Sequence, residues 1–355
     1  MYFSASNTYL VLDDITYRYF KTYALTASQN DFNIELAKDN NTQSTNNLLY
    51  DTFHNLSKPT RTLDPYRCNP CNEDLLNHVF YLQYKQQNIA INYDTQSTLD
   101  IVIHKFRHLQ SQRVMQQTDL NIQTKTEGYY LKNEEGLAWK WSPDAIHLLQ
   151  GKFSFEILNA IHQKKEQDWL GTFHASTIGN GEEALMLVGN SGSGKSTLAT
   201  LLMYAGYDLV ADDMSAMLAN NNHIAVLPAA ISVKEKAYNT VAPFIKNFED
   251  LPTQYINTIK GNVKYVPPLP LKNPNRLSYT CKNLVLVRYS KTPIATQLKQ
   301  GGEKTILEEL ITESWLAHNE VDAQSFLDWL GTVNFYELNY HYNKEAIAAI
   351  DSLFK

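Results

Sequence analysis

Leu185-Met186-Leu187-Val188-Gly189-Asn190-Ser191-Gly192-Ser193-Gly194-Lys195-Ser196-Thr197-Leu198 runs from an apolar segment through a glycine- and serine-rich bend into a second apolar pattern. Residues 189–196 match the spacing Gly, four residues, Gly-Lys-Ser/Thr without a mismatch. Glycines there let the backbone turn its N–H groups inward around phosphate oxygens with no Cβ in the way. Lys195 supplies a point charge for the β and γ phosphates, Ser196 a hydroxyl for Mg²⁺, and the helix beginning there its positive end. The strand Ala184 to Val188 before the bend and the apolar face Leu198, Leu201, Leu202 and Ala205 after it supply the required context, with Gly206 as the helix stop. The sequence therefore predicts a site for ATP or GTP, with Gly189, Asn190, Ser191, Gly192, Ser193, Gly194, Lys195, Ser196 and Thr197 as its nucleotide-binding positions.

The next strand points to the use made of the nucleotide. Tyr207 to Ala211 reads as that strand, and it ends in Asp212 and Asp213. Two adjacent carboxylates beside bound phosphates can divide labour, one holding Mg²⁺ and the other accepting a proton from an attacking hydroxyl. The alternative is a strand-end pair that caps a helix or faces solvent. The later strand Asn283 to Val287 ends in no acid, and Asn343-Lys344 continues as Glu345-Ala346 and so lacks the Asn-Lys-x-Asp guanine reader. His174 lies 15 residues before Gly189. A lone histidine is ordinarily structural, so its role rests on what surrounds it.

Taken together, Phe173-His174-Ala175, residues 189–196 and Leu209 to Asp213 resemble the HPr kinase/phosphorylases and related HPr kinase-like proteins, over roughly residues 153–290. The resemblance implies an α/β fold, a P-loop kinase domain of the HPr kinase and PEP carboxykinase-like type. It implies that Lys195 and Ser196 bind phosphates and Mg²⁺, that Asp212 is the general base, that Asp213 helps to hold the metal, and that His174 sits near the transferring phosphoryl group. Lys234, in Ser232-Val233-Lys234-Glu235, matches a stretch where related proteins place a basic residue, and a solvated surface lysine is the competing reading. Thr197 stands where the bifunctional enzymes carry Glu, and neither their Glu-Ile-Arg-Gly segment nor their proline-and-arginine motif is evident. The expectation is a Mg²⁺/ATP-dependent serine kinase without phosphorylase activity, acting on a peptide or protein. A kinase for a small molecule such as free serine, and an ATP-binding regulatory switch, are the alternatives.

The rest of the chain bounds these readings. Its 355 residues, 43% hydrophobic, suit one large domain with extensions or two domains, here set at 1–150 and 151–355. A net charge of −6 without a basic block argues against nucleic acid. No apolar run approaches the roughly 20 residues of a membrane span, Met1 to Leu10 lacks a leader pattern, and three cysteines make no disulfide framework. These features predict a cytoplasmic protein, open to homo-oligomer formation, whose partner carries a hydroxyl.

The N-terminal domain reads as strand-rich, with strands at Thr8 to Asp13, Ile89 to Tyr93, Thr98 to His104 and Tyr129 to Leu131 and a helix at Glu73 to Gln86. Cys68-Asn69-Pro70-Cys71, flanked by His54 and His78, is open to three readings: incidental cysteines, zinc ligands or a redox pair. The basic, proline-rich run Lys264 to Arg276 is a candidate substrate-facing loop.

Overall fold

Asp13, Ser28 and Thr42 accept hydrogen bonds from the backbone N–H groups of Thr16, Asp31 and Thr45, and each starts a helix. The helices are Asp14–Leu25, Gln29–Ala37 and Gln43–Leu56. They close around Phe3, Phe32, Leu36 and Phe53. In the computed structural model, which describes residues 1–39, 41–59, 71–113, 117–256 and 261–355, the expected strand at Thr8 to Asp13 shrinks to Thr8–Tyr9, paired with Tyr2–Phe3. Apart from this short strand pair, the described part of the first 56 residues is built on three helices, and the strand-rich part begins at His78.

From there a five-stranded sheet runs in the order His78–Tyr84, Gln87–Tyr93, Thr118–Lys125, Gly128–Lys132, Ala138–Trp141. The helix expected at Glu73 to Gln86 is replaced by the first of these strands. Phe80 and Leu82 are buried at a spacing of two, and Lys85 turns the hairpin with φ +54°. The strand expected at Thr98 to His104 is a helix, Gln96–Val102, extended by a 3₁₀ turn at Ile103–Lys105. Thr95 caps it, and Leu99, Val102, Ile103 and Phe106 recur at helical spacing and are buried. This helix forms the crossover between the two parallel strands of the sheet, Gln87–Tyr93 and Thr118–Lys125.

The helix Ile146–His162 joins this sheet to the rest. The boundary drawn at residue 150 falls inside it, and one core takes in Ile91, Ile122 and Leu131 of the sheet, Phe153 and Ile157 of the helix, and Trp169, Ala216 and Leu227 beyond. The halves thus share a buried interior.

Beside a three-stranded sheet in the order Ile231–Lys234, Asn262–Val266, Thr253–Tyr255, a ten-stranded mixed sheet carries most of the remainder. Its long central strand, Ser278–Tyr289, pairs in parallel with Glu183–Val188 on one edge and with Asn334–Tyr340 on the other. Beyond Glu183–Val188 come Ser176–Gly179 and then Asp208–Ala211, each antiparallel to the strand before it. Helix Lys195–Tyr204 packs on one face with Asn343–Asp351, and helices Glu303–Thr312 and Glu320–Leu330 cover the other. The strand expected across Thr172 to Ile178 is two, Trp169–Phe173 and Ser176–Gly179, broken at His174 and Ala175. The strand expected at Val226 to Val233 forms only at its end, in Ile231–Lys234, because residues 226–230 leave the neighbouring strand His223–Ala225 without regular pairing. Among the described residues no helix is long and apolar enough to cross a membrane.

Candidate functional site

Strand Glu183–Val188 is buried from Ala184 to its end, and the chain leaves it through a bend in which Gly189, Gly192 and Gly194 take φ of +141°, +90° and +105°. A Cβ on Gly189 would lie 2.9 Å from Ser193 Oγ and 3.1 Å from the Val287 carbonyl. One on Gly194 would lie 3.0 Å from the Tyr340 hydroxyl and 3.1 Å from Tyr289 Cβ. Gly194→Ala therefore combines a left-handed backbone with contacts against two tyrosines, and the expected loss of stability is about 1–3 kcal/mol. Thermal unfolding of the variant checks this, and an unchanged midpoint would mean that the bend relaxes freely.

The bend is tied down from both sides. Tyr289 N–H donates to the Ser193 carbonyl at 3.0 Å, and Asn190 Nδ2 donates to Glu309 Oε1 at 2.6 Å. Helix Lys195–Tyr204 begins at once, and its first-turn N–H groups have no carbonyl within the helix to receive them. Lys195 is buried, with Nζ donating to the Gly189 carbonyl and, at 3.4 Å, to that of Asn190. Burial lowers the pKa of its ammonium, against the pull of Asp213, Asp212, Glu313 and Glu309. Among the described residues the buried Ser193 Oγ has no hydrogen-bond partner. An acceptor-rich ligand in the bend would satisfy it.

Strand Asp208–Ala211 delivers Asp212 against this bend. Asp212 is only 3% exposed, and its Oδ1 accepts from Ser176 Oγ at 2.5 Å and from Ser196 Oγ at 3.0 Å. Burial, followed by the charge of Asp213, raises its pKa above the ordinary 3.8, while Ser176, Lys105 and Ser196 oppose the rise. Asp213 comes next with φ +69°, a left-handed conformation that aspartate tolerates better than most residues. Its Oδ2 receives Lys105 Nζ at 2.8 Å, and its Oδ1 lies 3.5 Å from His174 Nδ1. His174 Nε2 lies 3.7 Å from Glu313 Oε2. The break between Phe173 and Ser176 is fixed from behind, where Ser215 Oγ donates to the Ala175 carbonyl at 3.0 Å.

Most of the site candidates read from the sequence meet at one place, while Gly189, Asn190 and Ser193 belong to the bend without lining the cavity. Residues 191, 192 and 194–197, His174, Asp212, Asp213 and Lys234 line a single cavity of about 590 Å³. Lys234 Nζ is 3.4 Å from Ser191 Oγ, an exposed contact that places it at the rim of the bend. The run Lys264 to Arg276 behaves differently from the substrate loop expected of it. Lys264 is buried and donates to the carbonyls of Phe248, Glu249 and Leu251, and Lys272 N–H donates to Asp208 Oδ1 at 2.7 Å. Of that run only Tyr265 lines the cavity. The residues missed are Lys105, Gln150, Ser154, Ser176 and Tyr265; the capped helix at Thr95 is the signal that would have brought Lys105 forward.

The oxygen set of Ser196, Asp212 and Asp213 suits Mg²⁺, which takes one or two carboxylates and completes its shell from phosphates and water. Among the described residues no three His, Cys, Asp or Glu side chains cluster as a self-sufficient metal site. Cys68 lies outside the described residues. Cys71 is buried, with its Sγ 3.8 Å from the Asn121 carbonyl. His54 and His78 stack on Tyr50 and Tyr93.

No family model and no curated protein matches the chain. Among solved structures the chain is similar to the Hpr(Ser) kinase/phosphatase from Coxiella burnetii, at 12% identity over 51% of this chain and 88% of that one, with a TM-score of 0.24. A likeness this slight decides neither fold nor activity.

Proposed function

We propose that the protein is a Mg²⁺/ATP-dependent phosphotransferase that moves the γ-phosphoryl group to a hydroxyl. The observation that carries this reading is the placement of Asp212, a buried carboxylate hydrogen-bonded to Ser196 of the glycine-rich bend and facing the same cavity as Lys195. In this reading the N–H groups of the bend and Lys195 hold the triphosphate, with Lys195 Nζ exchanging the Gly189 and Asn190 carbonyls for phosphate oxygens. Ser196 and Asp213 would hold Mg²⁺, which when bound neutralises charge on the phosphoryl oxygens.

Asp212 does the proton chemistry. Both serine hydrogen bonds fall on Oδ1, and none among the described residues falls on Oδ2. That oxygen takes the acceptor's proton as the acceptor oxygen bonds to the γ-phosphorus. The bond to the β–γ bridging oxygen breaks, and ADP leaves with the electron pair. His174, beside Asp213, supports the pair. Because Asp212 lies at the wall of a cavity of about 590 Å³ that must also hold the nucleotide, a compact acceptor is favoured over a folded protein surface.

Incubation with γ-labelled ATP, first with a metabolite extract and then with its protein fraction, tests the reading. Label in a small molecule supports it in full, and label in a macromolecule supports transfer with the peptide or protein acceptor first read from the sequence. Tight nucleotide binding with label in neither fraction favours a regulatory switch instead.

The pH dependence comes from the raised pKa of Asp212. The base works only when ionised, so the rate rises with pH along a limb centred above 3.8. Ser176 hydrogen-bonds the charged form and lowers that pKa, so Ser176→Ala is expected to move the limb to higher pH. A pH–rate profile of both proteins checks this, and a limb that moves down or stays put speaks against Asp212 as the base.

A further inference from the structure

The cavity has two ends of different origin. At one lie the glycine-rich bend, Lys195 and Lys234. The other is walled by the first half of the chain, where His104 and Lys105 extend the crossover helix and Gln150 and Ser154 come from Ile146–His162. Tyr265, on strand Asn262–Val266, also lines the cavity, with its ring stacked on His104 at 5.6 Å.

Lys105 is held firmly. Ile103 and Phe106, both wholly buried, bracket it, and its carbonyl accepts from Ala230 N–H at 2.7 Å. One of the three N–H groups of Nζ goes to Asp213, and the side chain remains 28% exposed toward the cavity.

Charge is uneven as well. Five lysines line the cavity, Lys105, Lys195, Lys234, Lys236 and Lys291, whereas Asp212 and Asp213 are its only carboxylates among the described residues. Asp213 is engaged by Lys105, and Asp212, held by two serines at Oδ1, keeps Oδ2 for the acceptor hydroxyl. An ammonium group entering this end finds no carboxylate of its own and loses its hydration without compensation. An anion finds Lys105.

We propose that this end is the acceptor subsite and that it takes a hydroxyl compound carrying a carboxylate or a phosphate but no ammonium, with Lys105 as the anion-binding residue. The assignment rests on the phosphotransferase reading, since a triphosphate in the bend leaves only this end for an acceptor whose hydroxyl reaches Asp212. It gives the first half of the chain a role in choosing the substrate, and it disfavours free serine.

Five compounds on one three-carbon scaffold separate the cases: glycerate, glycerol phosphate, glycerol, serine and serinol, which are anionic, anionic, neutral, zwitterionic and cationic. Calorimetric titration of each into the full chain saturated with Mg²⁺ and the β,γ-imido analogue of ATP is the measurement. One of the two anions is expected to bind at least roughly tenfold more tightly than serinol, as a charged hydrogen bond implies, and which anion it is distinguishes a carboxylate from a phosphate. Lys105→Met is expected to remove that preference with nucleotide binding retained, and Lys105→Arg to restore most of it. Nucleotide binding with no anion preference, or an anion preference that survives Lys105→Met, overturns the acceptor assignment alone. Failure of the nucleotide analogue to bind the wild-type protein overturns the phosphotransferase reading beneath it.

Discussion

Asp212→Asn is expected to bind MgATP much as the wild type does and to transfer its phosphoryl group roughly 10²- to 10⁴-fold more slowly. The substitution keeps an oxygen to accept from Ser176 and Ser196, so the wall of the cavity is preserved, but it removes the lone pair that takes the proton. The same change is expected to stabilise the fold at neutral pH. Because the folded-state pKa of Asp212 lies above its ordinary value, the native state holds its proton more tightly than the unfolded chain. Stability is then lost as pH rises from 3.8 through the folded pKa, and the penalty is fully present above it. Asn carries no such penalty. A variant that melts higher at pH 7 with transfer nearly abolished identifies a group kept for chemistry at the expense of stability. A variant with wild-type transfer rate, measured by ADP release, removes Asp212 from the mechanism.

Lys195→Ala is expected to fail one step earlier. Its ammonium is buried among the carbonyls of Gly189 and Asn190, with Asp212 and Asp213 close enough to act on its charge. Loss of a charge-assisted contact to phosphate costs roughly tenfold to a hundredfold in nucleotide affinity. Lys234→Ala, at the rim of the bend beside Ser191, is expected to cost less. Titration with a fluorescent ATP analogue ranks the two variants. Equal affinity for wild type and Lys195→Ala would mean that the bend does not cradle a triphosphate.

Lys195 and Asp212 lie where the sequence is easiest to read, and the reason is local. Strand Glu183–Val188, the bend, helix Lys195–Tyr204 and strand Asp208–Ala211 succeed one another within 29 residues, each marked by its own pattern. Gly206, expected as the helix stop, has φ +99°. Partners that only folding brings near are harder to see. Lys105 reaches Asp213 across 108 residues, and Ser176 reaches Asp212 across 36. Lys105 is further hidden by a strand-like reading of Thr98 to His104, because Ile101, Val102 and Ile103 form a β-branched run, although Leu99, Val102, Ile103 and Phe106 keep helical spacing. The first three helices escape for a different reason. Their apolar faces are narrow, with no buried apolar residue in Asp14–Leu25, two in Gln29–Ala37 and one in Gln43–Leu56, so the caps at Asp13, Ser28 and Thr42 are the stronger signal. Lys264 misleads because basic, proline-rich segments usually lie outside, whereas this lysine turns inward to cap three carbonyls.

A crystal structure of the full chain with Mg²⁺ and the β,γ-imido analogue of ATP tests most directly whether the glycine-rich bend and the acid pair form one reaction centre. The expected result is a triphosphate wrapped by residues 189–197, with its γ-phosphoryl group facing Asp212 across a gap wide enough for one hydroxyl and open toward Lys105. A nucleotide bound elsewhere, or a γ-phosphoryl group turned away from Asp212, would contradict it.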